Sequence, residues 1–438
     1  MKRRVLYVLH NHPVVRPGGA EGYALELYDS MRRSDRYEPV LMARIGTAGF
    51  TDPPRHAGAP FSVVGEDPNQ YFVLTEWEPY NEFLETYREK SLYTTYIADF
   101  LRAYRPDVVH FQHTHFIGYD FITLVRRMMP HVPIVYTLQE LLAICHRDGQ
   151  MVRSVGEELC THSSPRRCNE CFPEWSSQHF FLRERFIKSH LSLVDQFLAP
   201  SRFLLERFVD WGIPREKIRF EEYGRIPQPR VETPPGDRRR TRFGFFGQIS
   251  RFKGLEVLLE AMKILQDTEP DFHAFVWGSS LEVLPESQRQ QFIDALGASG
   301  PNVTFAGGYT KANVPHIMSS VDWVVVPSRW WENSPLVIQE AFMHGRPVIC
   351  SDIGGMAEKV TAGVNGLHFV VGDPARLAET MRGAVNTPGL WERLCEGIPP
   401  VYSMDEHVAT LTSLYDELIE LRSGEETAPV LVERGAPT

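Results

Sequence analysis

Cysteine is scarce in this chain, at 6 among 438 residues, which argues against a disulfide-built extracellular domain. Long apolar runs are missing too: nowhere does the chain string together the roughly 18 apolar residues that a membrane-spanning helix needs. Positive charge is in deficit. The 46 Lys and Arg face 56 Asp and Glu for a net charge of −10, so nucleic acid is not an expected partner. The dinucleotide fingerprint Gly-x-Gly-x-x-Gly does not occur, which argues against a nicotinamide-dependent enzyme. What is present is ordinary for a folded protein. Hydrophobic residues make up 43% and charged residues 23%, which excludes a disordered, collagenous or coiled-coil chain. The length allows roughly two to three domains, each large enough to bury a core.

The opening Met1-Lys2-Arg3-Arg4 is basic and is followed by an apolar run over 5–9. That run is too short for a signal peptide and has no Ala-x-Ala exit, so it reads as a first buried strand. A reducing cytoplasm is then the expected compartment. Short Val/Ile/Leu/Phe-rich runs over 5–9, 40–43, 108–111, 134–137 and 196–199 alternate with helical spacing over 20–32, 96–104, 121–129 and 202–211. Strands alternating with helices predict a parallel sheet. Proline density from Pro227 to Pro235 and the charged run Asp237-Arg238-Arg239-Arg240 break the pattern and mark a linker. The alternation then restarts, with strands over 242–246, 273–277, 303–306, 323–326 and 348–351 and helices over 254–265, 314–319, 335–344 and 374–385. The expected organisation is a first α/β domain over 1–226, a linker over 227–241 and a second α/β domain over 242–401. A helical segment over 402–422 and a patternless tail over 423–438 follow. Segment 51–91 has no assignable pattern.

Three junctions have the chemistry of anion or sugar binding. Gly18-Gly19 enters the first helix, where a glycine pair lets backbone approach a ligand and aims a helix N-terminus at an anion. An ordinary tight turn would look the same. Arg251 and Lys253 lie in a loop after the first strand of the second domain. A guanidinium that forks two oxygens and an ammonium point charge there suit a diphosphate, at the sheet edge where open α/β sheets bind ligands. The third stretch runs from Pro327-Ser328 through Glu332-Asn333-Ser334-Pro335-Leu336 to Glu340, with Gly345 and Pro347 closing the helix. Ser334 is the expected N-cap and Pro335 the expected first helical residue. Glu332 then precedes the helix start and Glu340 lies within it, able to accept two hydrogen bonds from neighbouring hydroxyls.

These motifs together resemble the family 4 retaining glycosyltransferases, also called glycosyl transferases group 1. The match rests on Glu332-x7-Glu340 with Pro327-Ser328 before it and Gly345-x-Pro347 after it. It extends to Gly18-Gly19-Ala20-Glu21, Arg105-Pro106-Asp107-Val108-Val109-His110, Ala199-Pro200-Ser201, Lys253-Gly254, Asp352-Ile353-Gly354-Gly355 with Glu358, and Asn365-Gly366. The resemblance implies a GT-B fold: two Rossmann-like domains with parallel sheets facing a central cleft, and a C-terminal helix crossing back to the first domain. It implies transfer of a sugar, with retention, from a nucleotide diphosphate sugar to a glycan, lipid-linked or small-molecule acceptor. By the same resemblance Lys253 neutralises the diphosphate, Glu332 contacts the donor sugar and phosphate region, and Glu340 holds the ribose. Asn333, Ser334 and Leu336 line the donor site, Gly18 and Gly19 line the cleft, and no bound metal is required for the transfer.

Two positions depart from that pattern. Gln248 stands where the family carries a phosphate-binding arginine, and Arg251 is the nearest substitute. Gln139 stands where the family carries a histidine facing the reacting sugar, and an amide cannot carry a proton. His110, His113 and His115 are nearby and read as loop packing. Cys145, Cys160, Cys168 and Cys171 gather in an insert over 145–171, with Cys168-x2-Cys171 a common half-site for zinc or an iron–sulfur cluster. A structural metal there would brace a polar loop without a core of its own; reduced free thiols or a conditional disulfide are the alternatives. Arg32, Arg33, Arg36, Arg126 and Arg127 suggest a basic face that could rest on anionic lipid, with the chain peripheral to the inner face of a membrane. The alternatives are a nucleotide-sugar epimerase of the same fold and a non-catalytic nucleotide-sugar-binding homologue, the latter motivated by Gln139 and Gln248.

Overall fold

The structure is a computed structural model that describes residues 2–15, 18–46, 61–75, 80–230, 239–278 and 286–427. Arg16-Pro17, residues 51–60 and 76–79 of the unassigned segment, the linker centre at 231–238 and the tail from 428 lie outside the described residues.

The apolar runs become the interiors of two sheets. The first has eight strands in the order Ile218–Phe220, Gln196–Ala199, Ile134–Thr137, Val108–Phe111, Arg3–Leu9, Tyr37–Gly46, Asp67–Thr75 and Phe61–Val64. Its strands are parallel except for the edge pair Phe61–Val64 and Asp67–Thr75. The second has six parallel strands in the order Val303–Gly307, His273–Gly278, Arg242–Gly247, Trp323–Val326, Val348–Ser351 and Gly366–Phe369. Val108–Phe111, Ile134–Thr137, Trp323–Val326 and Val348–Ser351 are buried along their whole length. Helices on both faces bury such strands, which is why they read as unbroken apolar runs.

Strand order reverses direction once in each sheet. In the first it does so between Arg3–Leu9 and Val108–Phe111, and in the second between Arg242–Gly247 and Trp323–Val326. Connections diverge to opposite faces at such a point and leave a crevice outside the carboxyl ends of the strands. The loops that carry His10, Gln112, Lys253 and Ser328 leave from these four strand ends.

The helix Met404–Thr427 packs on the first domain. Its Leu411, Tyr415 and Leu418 share a core with Tyr7, Tyr23, Leu27 and Tyr37. This helix takes in residues 423–427, which the sequence pattern had assigned to the tail. Arg225 N donates to Tyr402 O and Met404 N to Arg225 O, each at 2.9 Å, so the two crossings between domains run side by side. Buried His110 has Thr137 Oγ1 at 2.7 Å on Nε2 and the Tyr415 hydroxyl at 2.6 Å on Nδ1. Burial, with His407 nearby, pulls its pKa down to about 3, so the ring is neutral and structural. Tyr415→Phe is expected to lower unfolding free energy by about 1–3 kcal/mol, because it leaves a buried ring nitrogen without a partner. A denaturation midpoint equal to the parent's would refute this.

Four of the five arginines of the expected basic face, all but Arg127, have carboxylate partners among the described residues. Arg32 meets Asp67 at 3.0 Å, Arg33 meets Asp405 at 3.4 Å, Arg126 meets Asp195 at 2.6 Å, and Arg36 pairs with Asp416. That face is largely neutralised by its own neighbours. No described helix is long and apolar enough to cross a membrane.

Candidate active site

In the second domain, strand Arg242–Gly247 gives way to a single turn of 3-10 helix over Arg251–Lys253 and then to the helix Leu255–Leu265. Gly254 between them has φ +69°, and a Cβ there would run into the Pro327 carbonyl oxygen. Glycine therefore lets the cationic loop lie against the end of strand Trp323–Val326, where Arg329 N donates to Phe252 O at 2.8 Å. This close approach brings Lys253 to Glu332.

Glu332 is the centre of the cluster. Its Oε1 accepts from Lys253 Nζ at 2.6 Å, Ser328 Oγ at 2.8 Å and Trp330 Nε1 at 2.9 Å. Burial works to raise its pKa, but the Lys253 charge and the three hydrogen bonds outweigh it and hold the carboxyl below its ordinary range. The result is an ionised, nearly enclosed carboxylate beside a partly exposed ammonium. Underneath, Gly355 N donates to Glu332 O at 2.9 Å, and the absent side chain of Gly355 leaves room for the Asn333 carbonyl.

Asn333 crosses to the first domain. Its Oδ1 accepts from Ser201 Oγ at 2.7 Å, and its Nδ2 donates to Gln139 O at 3.2 Å and Leu138 O at 3.4 Å. Glu358 crosses as well, accepting from the amides of Arg202 at 2.8 Å and Phe203 at 2.7 Å at the start of helix Arg202–Trp211. The expected N-cap is corrected: helical bonding begins at Leu336, Pro335 takes the cap position with ψ 117°, and Ser334 Oγ is buried without a partner among the described residues. The extended conformation at Pro335 moves the helix start one residue on. Glu340 lies in this helix and meets Arg225 Nη2 at 2.7 Å. Burial pushes its carboxyl up despite the nearby guanidinium.

From the first domain, Gly18 precedes helix Gly19–Met31, and a Cβ at Gly19 would lie 3.7 Å from Leu336 Cδ1 across the cleft. Gln139 follows strand Ile134–Thr137; it accepts from the Tyr223 hydroxyl and donates to Gln112 Oε1 at 3.3 Å. Beside it stand two imidazole–carboxylate pairs, His10–Glu21 at 3.1 Å and His113–Glu140 at 3.4 Å, with the two rings 4.1 Å apart. Burial and the neighbouring His113 push His10 down to about 4, against the pull of Glu21.

The structure brings Lys253, Glu332 and Asn333 together with Gln139 and sets Leu336 against Gly19. Gln248 is exposed, and Arg251 pairs with Glu157 of the cysteine-bearing insert. Cys145, Cys160, Cys168 and Cys171 are free thiols, with Cys168 in electrostatic reach of the other three. Burial raises Cys145 to about 11. Among the described residues no group of three or more His, Cys, Asp or Glu side chains stands in a metal-holding arrangement. Motif spacing passed over Trp330, Arg225, His10 and Glu157. Arg225 and Glu157 take their roles from partners far along the chain, whereas Trp330 donates to Glu332 two residues on and His10 meets Glu21 eleven residues on, contacts that motif spacing does not single out.

Known proteins resemble this chain in sequence and in fold. The profile of glycosyl transferases group 1 matches residues 240–387, and that of the glycosyl transferase 4-like domain matches residues 18–224. A D-inositol 3-phosphate glycosyltransferase of Catenulispora acidiphila is 31% identical over 206 residues, 42% of this chain and 49% of that protein. The chain thus spans about half the length of the curated relatives it matches. Among solved structures, sucrose-phosphate synthase from Thermosynechococcus elongatus superposes with a TM-score of 0.69 at 17% identity, covering 96% of this chain and all of that one. The Anabaena protein HepE in complex with UDP gives 0.65 at 17% identity, covering 95% of this chain and all of that one. Its architecture is that of the GT-B fold, and with two adjoining profile matches across both domains the chain belongs to the group 1, family 4 glycosyltransferases.

Proposed function

We propose that this chain transfers a sugar from a nucleotide diphosphate sugar to a sugar-containing, lipid-linked or small-molecule acceptor, with retention at the anomeric carbon. One observation carries the proposal: the Lys253–Glu332 pair stands at the reversal point of the second sheet, and Asn333 beside it reaches Gln139 of the first domain. Both halves of a two-substrate reaction then meet at one loop. Family membership supports it, as does UDP in the structurally similar HepE.

In this reaction the bond from the anomeric carbon to the donor phosphate oxygen breaks, and a bond to an acceptor hydroxyl oxygen forms on the same face. The acceptor's proton passes to the phosphate oxygen that leaves. Lys253 offsets the charge developing on the diphosphate, and Arg251 is the second cation within the loop. Glu332 fixes the ammonium and borders the sugar, amides of Asn333 and Ser334 meet sugar hydroxyls, and Glu340 takes the ribose. Gln139 positions a hydroxyl by hydrogen bonding and takes no proton.

Thermal shift against UDP-, ADP- and GDP-sugars tests donor binding, since a ligand at about 100 times its Kd adds about 2.7 kcal/mol of stability. The anomeric configuration of the product, read by NMR, tests retention, and an inverted product would refute it. The His10–Glu21 and His113–Glu140 pairs favour a second reading, a nucleotide-sugar epimerase with acid–base residues in the cleft. Conversion of a nucleotide sugar incubated alone would establish that reading in place of transfer. For the insert, we propose that its four thiols hold a structural zinc or iron–sulfur cluster once metal is supplied. Metal analysis of protein purified without chelator is expected to find about one zinc per chain, or iron with visible colour. Four freely titrating thiols and no metal would remove the idea.

A further inference from the structure

Residues 145–171 follow the first domain's sugar-facing strand in sequence, yet their contacts reach the second domain's cationic loop. Glu157 bridges two guanidinium groups there: one carboxylate oxygen pairs with Arg251 Nη2 and the other lies 3.4 Å from Arg329 Nη2. Cys160 O accepts from Trp331 Nε1 at 2.9 Å, one residue from Glu332. The Arg147 guanidinium stands 5.7 Å over the ring of Phe252, between Arg251 and Lys253.

The tip of the insert is built to present that carboxylate. Residues 152 and 159 pair as an antiparallel bridge, Cys160 N donates to Met151 O at 2.7 Å, and Arg153 N donates to Glu158 O at 2.9 Å. Arg147 Nη1 fastens the loop from inside, donating to Val152 O at 2.9 Å and Arg153 O at 2.7 Å. At the turn, Gly156 and Glu157 both take left-handed backbone, with φ +76° and φ +54°. A residue with a β-carbon pays for that conformation, so the turn is held by its surroundings.

Arg251, Lys253 and Arg329 place three cations around one short loop. Lys253 has Glu332, and Arg329 also meets Glu256 at 2.9 Å. A guanidinium accepts carboxylate and phosphate oxygens in the same forked geometry, so the two compete for it. We propose that residues 145–171 form a lid over the donor diphosphate site and that Glu157 is its latch, a carboxylate standing where donor phosphate oxygens bind and displaced by them. This rests on the donor-site assignment above. It predicts that the insert answers to the diphosphate, whatever base or sugar is attached.

The test is calorimetric titration of the full chain and of Glu157→Gln with UDP, ADP, GDP and inorganic pyrophosphate. The amide keeps the size of the side chain and removes the charge. Partly exposed ion pairs of this kind are modest, so the variant is expected to bind about three- to tenfold more tightly. The gain should be similar for pyrophosphate and for whichever nucleotide binds. Equal or weaker binding by the variant, with measurable binding by the parent, overturns the latch alone and makes Glu157 a support for the arginines. No binding of any of the four to either protein overturns the donor-site assignment and the latch with it.

Discussion

Replacing Lys253 with alanine is expected to reduce kcat/KM for the donor by a hundredfold or more while the chain still folds. Loss of one charge-assisted phosphate contact accounts for about 1.5–3 kcal/mol, or roughly ten- to a hundredfold. The remainder comes from Glu332, whose main charge partner disappears while its burial stays. Because its folded pKa lies below the ordinary carboxylate value, Glu332 contributes stability that is present above that ordinary value. The contribution is lost as pH falls through the lower, folded one. Without Lys253 the folded pKa moves up, so acid unfolding should begin at higher pH in the variant. Donor kinetics and an acid unfolding curve read the two effects separately. Parent-like kinetics would dismiss Lys253 from the diphosphate site, and an unshifted acid curve would dismiss this account of Glu332.

Gly355→Ala should be nearly as damaging, though Gly355 carries no chemistry. The added methyl group would land on the Asn333 carbonyl oxygen and press within 3.0 Å of Glu332 O. Both atoms are backbone, so the loop that holds Glu332 and Asn333 must move. Misplacement of reacting groups by about 1 Å costs on the order of a hundredfold in rate, and overpacking costs about 1–3 kcal/mol in stability. Gly383→Ala is the control, since a Cβ there meets nothing within 4 Å on the helix Pro374–Asn386. Steady-state kinetics of the two variants should diverge by that factor; equal activity would show that the loop tolerates the intrusion.

The parallel strands were legible because they are buried on both faces. Val108–Phe111, Ile134–Thr137, Gln196–Ala199, Trp323–Val326 and Val348–Ser351 stand where their apolar runs stand. The outer hairpin of Phe61–Val64 and Asp67–Thr75 was not, since half-exposed residues and Asp67-Pro68 blur its alternation. Helix Ser177–Leu191 was hidden in another way. It buries Arg183, which donates to the carbonyls of Phe83, Leu142 and Ala143, while Phe181 and Leu182 face outward. A buried guanidinium and two exposed apolar residues invert the usual amphipathic pattern. At the site, motif spacing presented Glu332 and Glu340 as a matched pair. Folding gives them opposite surroundings, with Lys253 drawing one carboxyl pKa down and burial raising the other next to Arg225. Those partners lie 79 and 115 positions away, and only the folded chain brings them near.

The helix Met404–Thr427 sets an order of events during synthesis. Tyr415 fills the space among Tyr7, Tyr37 and His110, so the first domain's core is not closed until this helix exists. Between Arg225 and Met404 the ribosome must add the whole second domain, roughly 180 residues, which takes on the order of 10–40 s at typical elongation rates. During that interval Tyr7, Tyr23 and Tyr37 present an apolar groove to whatever is nearby. Chain shortening that removes Leu411, Tyr415 and Leu418 would make that transient state permanent. The nascent first domain is therefore the stage at which a holding chaperone has something to grip.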